Sequence, residues 1–157
     1  MSNTMRWRYG DTNPVMMPVA ESTVLQIGDL IYQVSGLARS ASMLSDLGTE
    51  VANQEAFHDA FVGVAMQASP TGAAEPIRVA TSGVFEFDCL PTTAEVGDLW
   101  GVDEVGAGVA LLNQLIAKVA TPNLAIGRAA RRINPAASRA LVDVVSTVMR
   151  GGPQVMA

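Results

Sequence analysis

The sequence predicts a mainly β protein: a β-barrel or β-sandwich of two related units. A short helical insert near 41–60 and an extended N-terminal arm complete the expectation. Three observations carry it. "LQIGDL" and "AEVGDL" each place an apolar residue before Gly-Asp-Leu, with Gly28 and Gly97 69 positions apart. "FVGVA" and "AIGRA" repeat an apolar-Gly-x-Ala pattern, with Gly63 and Gly127 64 apart. Between these marks run short alternating segments rich in Val, Ile, Phe and Tyr, the pattern of half-buried strands. Two halves with the same order of signals imply pseudo-symmetry.

The chain has 157 residues, which suits one domain with a real core. Residues 1–19 form the arm, 20–152 a single β-rich domain and 153–157 a tail. In "TMRWRYGDTNPVMMPVA", extended backbone points Arg6 and Arg8 to one side and Trp7 and Tyr9 to the other. Pro14 and Pro18 exclude a helix interior. Two readings stand for this stretch. It is a first strand with a packed Trp, or an arm lying on a neighbour, since Trp, Tyr and Arg are enriched at binding hot spots.

"STVLQIGDLIYQVSG" predicts two short strands around Gly28-Asp29, with Leu30, Tyr32 and Val34 on one face and Ile31 and Gln33 on the other. Gly admits turn geometry, and Asp bonds nearby amides. Ser42 or Ser45 opens a short helix, and Thr49 a second through "EVANQEAFHDAF". "FVGVAMQ" reads as a strand and "SPTGAAEP" as a loop. In "IRVATSGVFEFDC", Val84, Glu86 and Asp88 share one face, and Phe85, Phe87 and Cys89 the other. "LPTTAEVGDLWGVDEVGAG" repeats the turn and continues as loop. Leu111, Leu112, Leu115, Ile116 and Val119 suit a helix face, while Thr121-Pro122-Asn123 suits a hairpin, so 109–119 is strand or helix. "SRALVDVVSTVMRGG" reads as a last strand, with Val142, Val144 and Val148 on one side.

Only 16% of the chain is charged and 49% is apolar, against about 25% charged in typical soluble domains. Such a surface predicts a partner covering apolar area. The net charge of −5 argues against binding nucleic acid, although Arg128, Arg131 and Arg132 cluster in "GRAARR". The uncharged runs fall short of the roughly 20 apolar residues that span a membrane. "MSNTMRWRYGDTNP" has no apolar stretch resembling a secretory signal. A single cysteine, Cys89, excludes an internal disulfide and a cysteine zinc site, and fits synthesis in a reducing cytoplasm.

Chemistry-bearing residues form no constellation, so the sequence predicts no enzyme and no cofactor. His58 is the one histidine, beside Asp59 and near Glu55 and Gln54; it reads as a surface or satisfied polar residue. Cys89, on the face of Phe85 and Phe87, reads as core. Glu86 and Asp88, and Asp103 and Glu104, read as solvated pairs lacking an aromatic platform or basic partner. Asp29, Asp98 and Asp103 lack calcium-loop spacing. "GVDEVGAG" is not a phosphate loop.

In order, "FHDAFVGVAMQ", "IRVATSGVFEFDC", "AEVGDLWGVDE", "LAIGRAARR" and "DVVSTVMRGG" resemble tailed-phage capsid cement proteins, also called decoration proteins, over about residues 20–152. The helical insert at 41–60 departs from the simplest members. The resemblance implies a structural virion protein on the outer capsid surface, made in the host cytoplasm. It implies homotrimers that clamp neighbouring major capsid proteins and stabilise the mature shell without cofactor, nucleic acid or membrane. The capsid or protomer interface is then expected at Arg6, Trp7, Arg8, Tyr9, Asn13, Pro14, Met16 and Met17. The alternatives are a tail-fibre or receptor-binding module, against which 5% aromatics weighs, and a small hydrolase using His58 with an acid.

Overall fold

The computed structural model describes residues 5–71, 73–104 and 110–154. Among the described residues eleven strands and two helices follow one another: β1 (Trp7–Tyr9), β2 (Val15–Met17), β3 (Leu30–Val34), β4 (Leu37–Ser40), α1 (Glu50–Ala60), β5 (Phe61–Ala65), β6 (Ile77–Ala80), β7 (Ser82–Ala94), β8 (Leu99–Glu104), β9 (Leu111–Lys118), β10 (Gly127–Ala129), β11 (Ile133–Val145) and α2 (Thr147–Arg150). Single 3-10 turns occupy Ala41–Met43 and Pro122–Leu124.

The two halves share one topology. The first sheet runs β2-β6-β5-β3-β4, and the second runs β7-β11-β10-β8-β9 with β1 added outside β7. Counted within each half, both orders read first, fifth, fourth, second, third. The second half closes into a five-stranded barrel through parallel pairing of β7 with β9 at Asp88–Leu115 and Cys89–Ile116. In the first half the corresponding approach is a single bond, from the Ala38 amide to the Pro18 carbonyl just beyond β2.

The repeated motifs explain the match. Gly28 and Gly97 take φ of 95° and 93°. Their amides donate to the Ala65 and Ala129 carbonyls at 2.8 and 2.9 Å. The amides of those alanines donate back to the Asp29 and Asp98 carbonyls at 2.9 and 2.7 Å. Each Asp carboxylate accepts the amide three residues earlier, Gln26 or Glu95, at 2.9 Å. The second motif supplies the glycine at a crossing where the neighbouring strand leaves no room. A Cβ on Gly63 would lie 1.7 Å from the Ala80 carbonyl oxygen, and one on Gly127 would lie 2.2 Å from that of Asp143.

The two cores divide accordingly. Met17, Leu25, Ile31, Val62, Ala65, Ile77 and Val79 pack in the first half. Trp100, Val102, Ile116, Ile126, Ala129 and Val142 pack in the second, in a cluster that continues through Phe85, Phe57, Phe61 and Leu30 between the halves. Leu30 and Tyr32 therefore serve one cluster and Ile31 the other, as strand alternation requires. Helix α1 is the insert between third and fourth strands of the first half, and it packs on β8 and on the 3-10 turn that holds the same place in the second. Its Thr49 hydroxyl accepts the Ala52 amide, an N-cap without the acid of a full capping box.

Several local expectations are corrected. Residues 22–27, directly before Gly28, form no strand, only an isolated bridge between Leu25 and Ser69. The first helical turn starts at Ala41, capped by neither Ser42 nor Ser45. Beyond Cys89, β7 continues through "LPTTA" to Ala94 because the distal half of β11 pairs with it, at Thr92–Ala137 and Ala94–Ile133. Pro91 fits there because the register is irregular between Ala137 and Arg139. Leu99–Glu104 is likewise strand, paired with both β10 and β9. The open choice at 109–119 resolves to strand over Leu111–Lys118, while 105–109, including the second half of "GVDEVGAG", lie outside the described residues. The last strand ends at Val145, where Ser146 caps α2, so Val148 belongs to a helix.

Candidate functional site

The arm is built into the molecule's own sheets before it offers anything outward. β1 pairs with β7 at Trp7–Phe85 and Tyr9–Val84, and the Glu86 amide donates to the Arg6 carbonyl at 2.8 Å. β2 pairs with β6 from Val15–Val79 to Met17–Ile77. Between them, residues 11–13 clasp the crossover from one half to the other. The Thr81 amide donates to the Thr12 carbonyl at 2.8 Å, and its hydroxyl to that of Asn13 at 2.7 Å. The Ser82 hydroxyl donates to the Asp11 carbonyl at 2.7 Å, and Asn13 Nδ2 donates to that hydroxyl oxygen at 2.9 Å. Asn13 adopts φ 41°, a left-handed geometry that asparagine tolerates.

Alternation sorts the arm's side chains as the sequence predicts. Arg6 and Arg8 turn toward β7, where Arg6 lies 3.1 Å from Asp88 and Arg8 lies 3.2 Å from Glu86. Arg139 on β11 reaches the same acids at 3.4 and 3.5 Å. This corrects the expectation that Glu86 and Asp88 lack basic partners: those partners come from elements 50 or more residues away, beyond any local pattern. Trp7, Tyr9 and Met16 are 47%, 53% and 57% exposed. Asn13 and Pro14 are exposed as well. Met17, expected at the interface, is instead only 6% exposed and packs in the first core, since it follows exposed Met16 on a strand with one buried face. Among the described residues β1 leaves its outer edge unpaired in the sheet, whereas the outer side of β2 is approached by β4 through the Ala38–Pro18 bond; the β1 edge is open to strand addition by a partner.

The remaining candidates disperse. Arg128 donates to the Gly97 and Gln154 carbonyls, and Arg132 pairs with Glu95, so "GRAARR" offers no concerted basic face. His58 is buried, not on the surface; its Nδ1 lies 2.7 Å from the Ala125 carbonyl oxygen, an acceptor-only partner to which it donates. Cys89 is buried with Phe85 and Phe87, its sulfur 3.8 Å from the Ala137 carbonyl, and burial first and Asp88 second push its thiol pKa up. No hydrogen bond joins His58 to Cys89 among the described residues.

One further acidic group was missed as a unit. Asp103 and Glu104 are buried, and Glu50 at the start of α1 faces them. Burial, then the charges of Asp103 and Glu104, then a hydrogen bond with Asp103, raise the Glu50 pKa. Its Oε1 accepts from Gln54 Nε2 at 3.2 Å, and Gln54 also donates to the Val102 carbonyl at 2.9 Å. Among the described residues no helix is long and apolar enough to cross a membrane, and no group of His, Cys, Asp and Glu could hold a metal ion. Comparison with protein-family models, curated proteins and solved structures finds no match to this chain.

Proposed function

We propose that this protein is a capsid cement protein that binds the outside of a tailed-phage shell, associates with itself as a trimer and clamps neighbouring major capsid proteins. The reading rests first on the ordered motifs that resemble that family. The observation that carries it in the structure is the arm: a segment laid along both halves, with Trp7, Tyr9 and Met16 outward and, among the described residues, an unpaired outer edge on β1. The role proposed is structural, with no reaction and no cofactor.

The mechanism is linkage. A ligand that binds only the expanded lattice stabilises that lattice in proportion to its occupancy. Three joined subunits that each find a site gain by effective concentration. A low-charge surface adds little desolvation cost to broad contacts. The matched halves supply a rigid body, so the ordering cost on binding falls mainly on exposed side chains.

The experiment supplies the chain in excess to purified expanded capsids that lack it, and reads occupancy by gel densitometry and location by electron microscopy. Lattice-wide density is expected. The double substitution Trp7→Ala with Tyr9→Ala should lower occupancy at limiting protein at least about tenfold, the effect of losing an aromatic hot spot. Deleting residues 1–10 should act alike and leave the clasp at 11–13 in place, which the longer deletion of 1–13 would remove. Tail-only density, or unchanged occupancy of both variants with the fold intact, overturns the proposal.

A further inference from the structure

The geometry points to a binding site for a basic side chain, a lysine or arginine on an extended segment of a partner protein, at the mouth of the second barrel between Glu50, Asp103 and Trp100. The mouth opens where β7 and β9 part beyond their short parallel pairing. It holds a cavity of about 300 Å³, lined among others by Glu50, Leu90, Trp100, Asp103, Ile116 and Lys118. Barrel mouths with apolar walls and a few convergent polar groups are common ligand sites.

Two independent features specify the occupant. The first is charge. Glu50 and Asp103 line the cavity and are hydrogen-bonded to each other, with Glu104 close enough to act on Glu50. Glu104 is 8% exposed, and its Oε2 has no hydrogen-bond partner among the described residues. The cation at the rim, Lys118, is already engaged: its Nζ lies 3.0 Å from Asp98 and donates to the Thr93 carbonyl at 3.2 Å. The second is Trp100, a cavity-lining residue that is fully buried and whose indole Nε1–H has no acceptor among the described residues. Buried donors are seldom left unmade. An ammonium or guanidinium on an aliphatic stem answers the carboxyl groups and the walls of Leu90 and Ile116, and a carbonyl of the same segment answers the indole.

Binding of the cation favours ionised Glu50, so affinity rises as pH passes upward through the range in which Glu50 loses its proton. The groups facing Glu50 are Gln54 on its own helix and Asp103 and Glu104 on β8. Cys89 on β7 and Lys118 on β9 line the same cavity.

The test uses the full chain without capsids, so its outcome is separate from that of the capsid proposal. N-acetyl-lysine N-methylamide and its arginine analogue are titrated while the Trp100 indole N–H resonance is followed, assigned with Trp7→Phe. A saturable shift is expected at about millimolar concentration, fitting one side chain in one pocket. N-acetyl-norleucine N-methylamide, apolar and of similar length, should give none. Glu50→Gln with Asp103→Asn should weaken the basic ligands at least about tenfold. If that double variant does not fold, Glu50→Gln alone serves, because Glu50 is only partly buried. An equal response to norleucine, no response to either basic amide, or an unaltered response in the folded variant overturns the assignment.

Discussion

The Asp29 carboxylate accepts a hydrogen bond from Gln114 Nε2 at 2.9 Å, joining the Gly-Asp turn of the first half to β9 of the second. The matching Asp98 is held by Lys118, four residues further along β9 and on the same face of that strand, at 3.0 Å. One strand thus anchors both turns. The environments differ: Asp29 is buried, whereas the Asp98 side chain is 34% exposed. Asp29→Ala leaves the Gln26 amide and part of Gln114 unsatisfied in the interior. It should cost about 1–3 kcal/mol. Asp98→Ala should cost less than about 1 kcal/mol, as for exposed pairs. Urea denaturation of the two variants checks this order, and equal losses would refute the inequality.

The same pair should respond to pH with opposite signs. Burial raises the Asp29 pKa above its ordinary value, outweighing the bonds from Gln114 and Gln26. Its contribution is therefore full below the unfolded-state value and is lost as pH rises through the folded one. The Glu95 amide, then Lys118, hold Asp98 below its ordinary value. That contribution is present above the unfolded-state value and is lost as pH falls through the folded one. Relative to the parent chain, Asp29→Asn should be more destabilising at about pH 3 than at about pH 7, and Asp98→Asn the reverse. Urea midpoints at both pH values measure the two slopes.

Gly63→Ala and Gly127→Ala should each be severe. The added methyl would stand 1.7 or 2.2 Å from a neighbouring carbonyl oxygen, so backbone has to move. A loss above about 3 kcal/mol is expected, in the range reserved for backbone strain and overpacking. Gly36→Ala is the control: its left-handed φ adds strain, but its Cβ would meet nothing within 4 Å. It should cost about 1–2 kcal/mol. Thermal and denaturant midpoints of the three variants separate close approach from conformational strain alone.

These glycines also show what the sequence makes legible. A position that disfavours a side chain, by left-handed φ at Gly28 and Gly97 or by close approach at Gly63 and Gly127, announces itself as Gly, so these four mark equivalent points of both halves without any knowledge of contacts. Strand alternation likewise places Arg6 opposite Trp7 before any partner is known. What cannot be read is pairing at long range. Nothing near Glu86 announces Arg6 or Arg139, and nothing near Glu50 announces Asp103. Leu111, Leu112, Leu115 and Ile116 satisfy helix and strand spacing alike, and only the ladders with β8 and β7 decide between them. His58 is drawn inside because α1 packs on the 3-10 turn beside Ala125, a tertiary event that local polarity does not foreshadow.

Glu86 is the hub that fixes β1 to the body. Its side chain is 12% exposed and meets Arg6, Arg8 and Arg139 at 3.7, 3.2 and 3.4 Å. Glu86→Gln keeps the shape and removes the charge, leaving Arg6 and Arg139 with Asp88 and Arg8 with no carboxylate in this cluster. A single exposed pair is worth up to about 1 kcal/mol, and a partly buried hub shared by three cations is the case in which more is expected. β1 has only three residues in its ladder, so its opening free energy is small and sensitive to this loss. Amide exchange at Arg8 and Tyr9 should accelerate about tenfold in Glu86→Gln, while β8 and β10 stay as protected as before. Raising salt to about 1 M should accelerate the same amides in the parent chain, because ions screen the cluster, and should add little in the variant. Uniform acceleration across both halves would instead mean that the ion cluster supports the whole fold and not the arm.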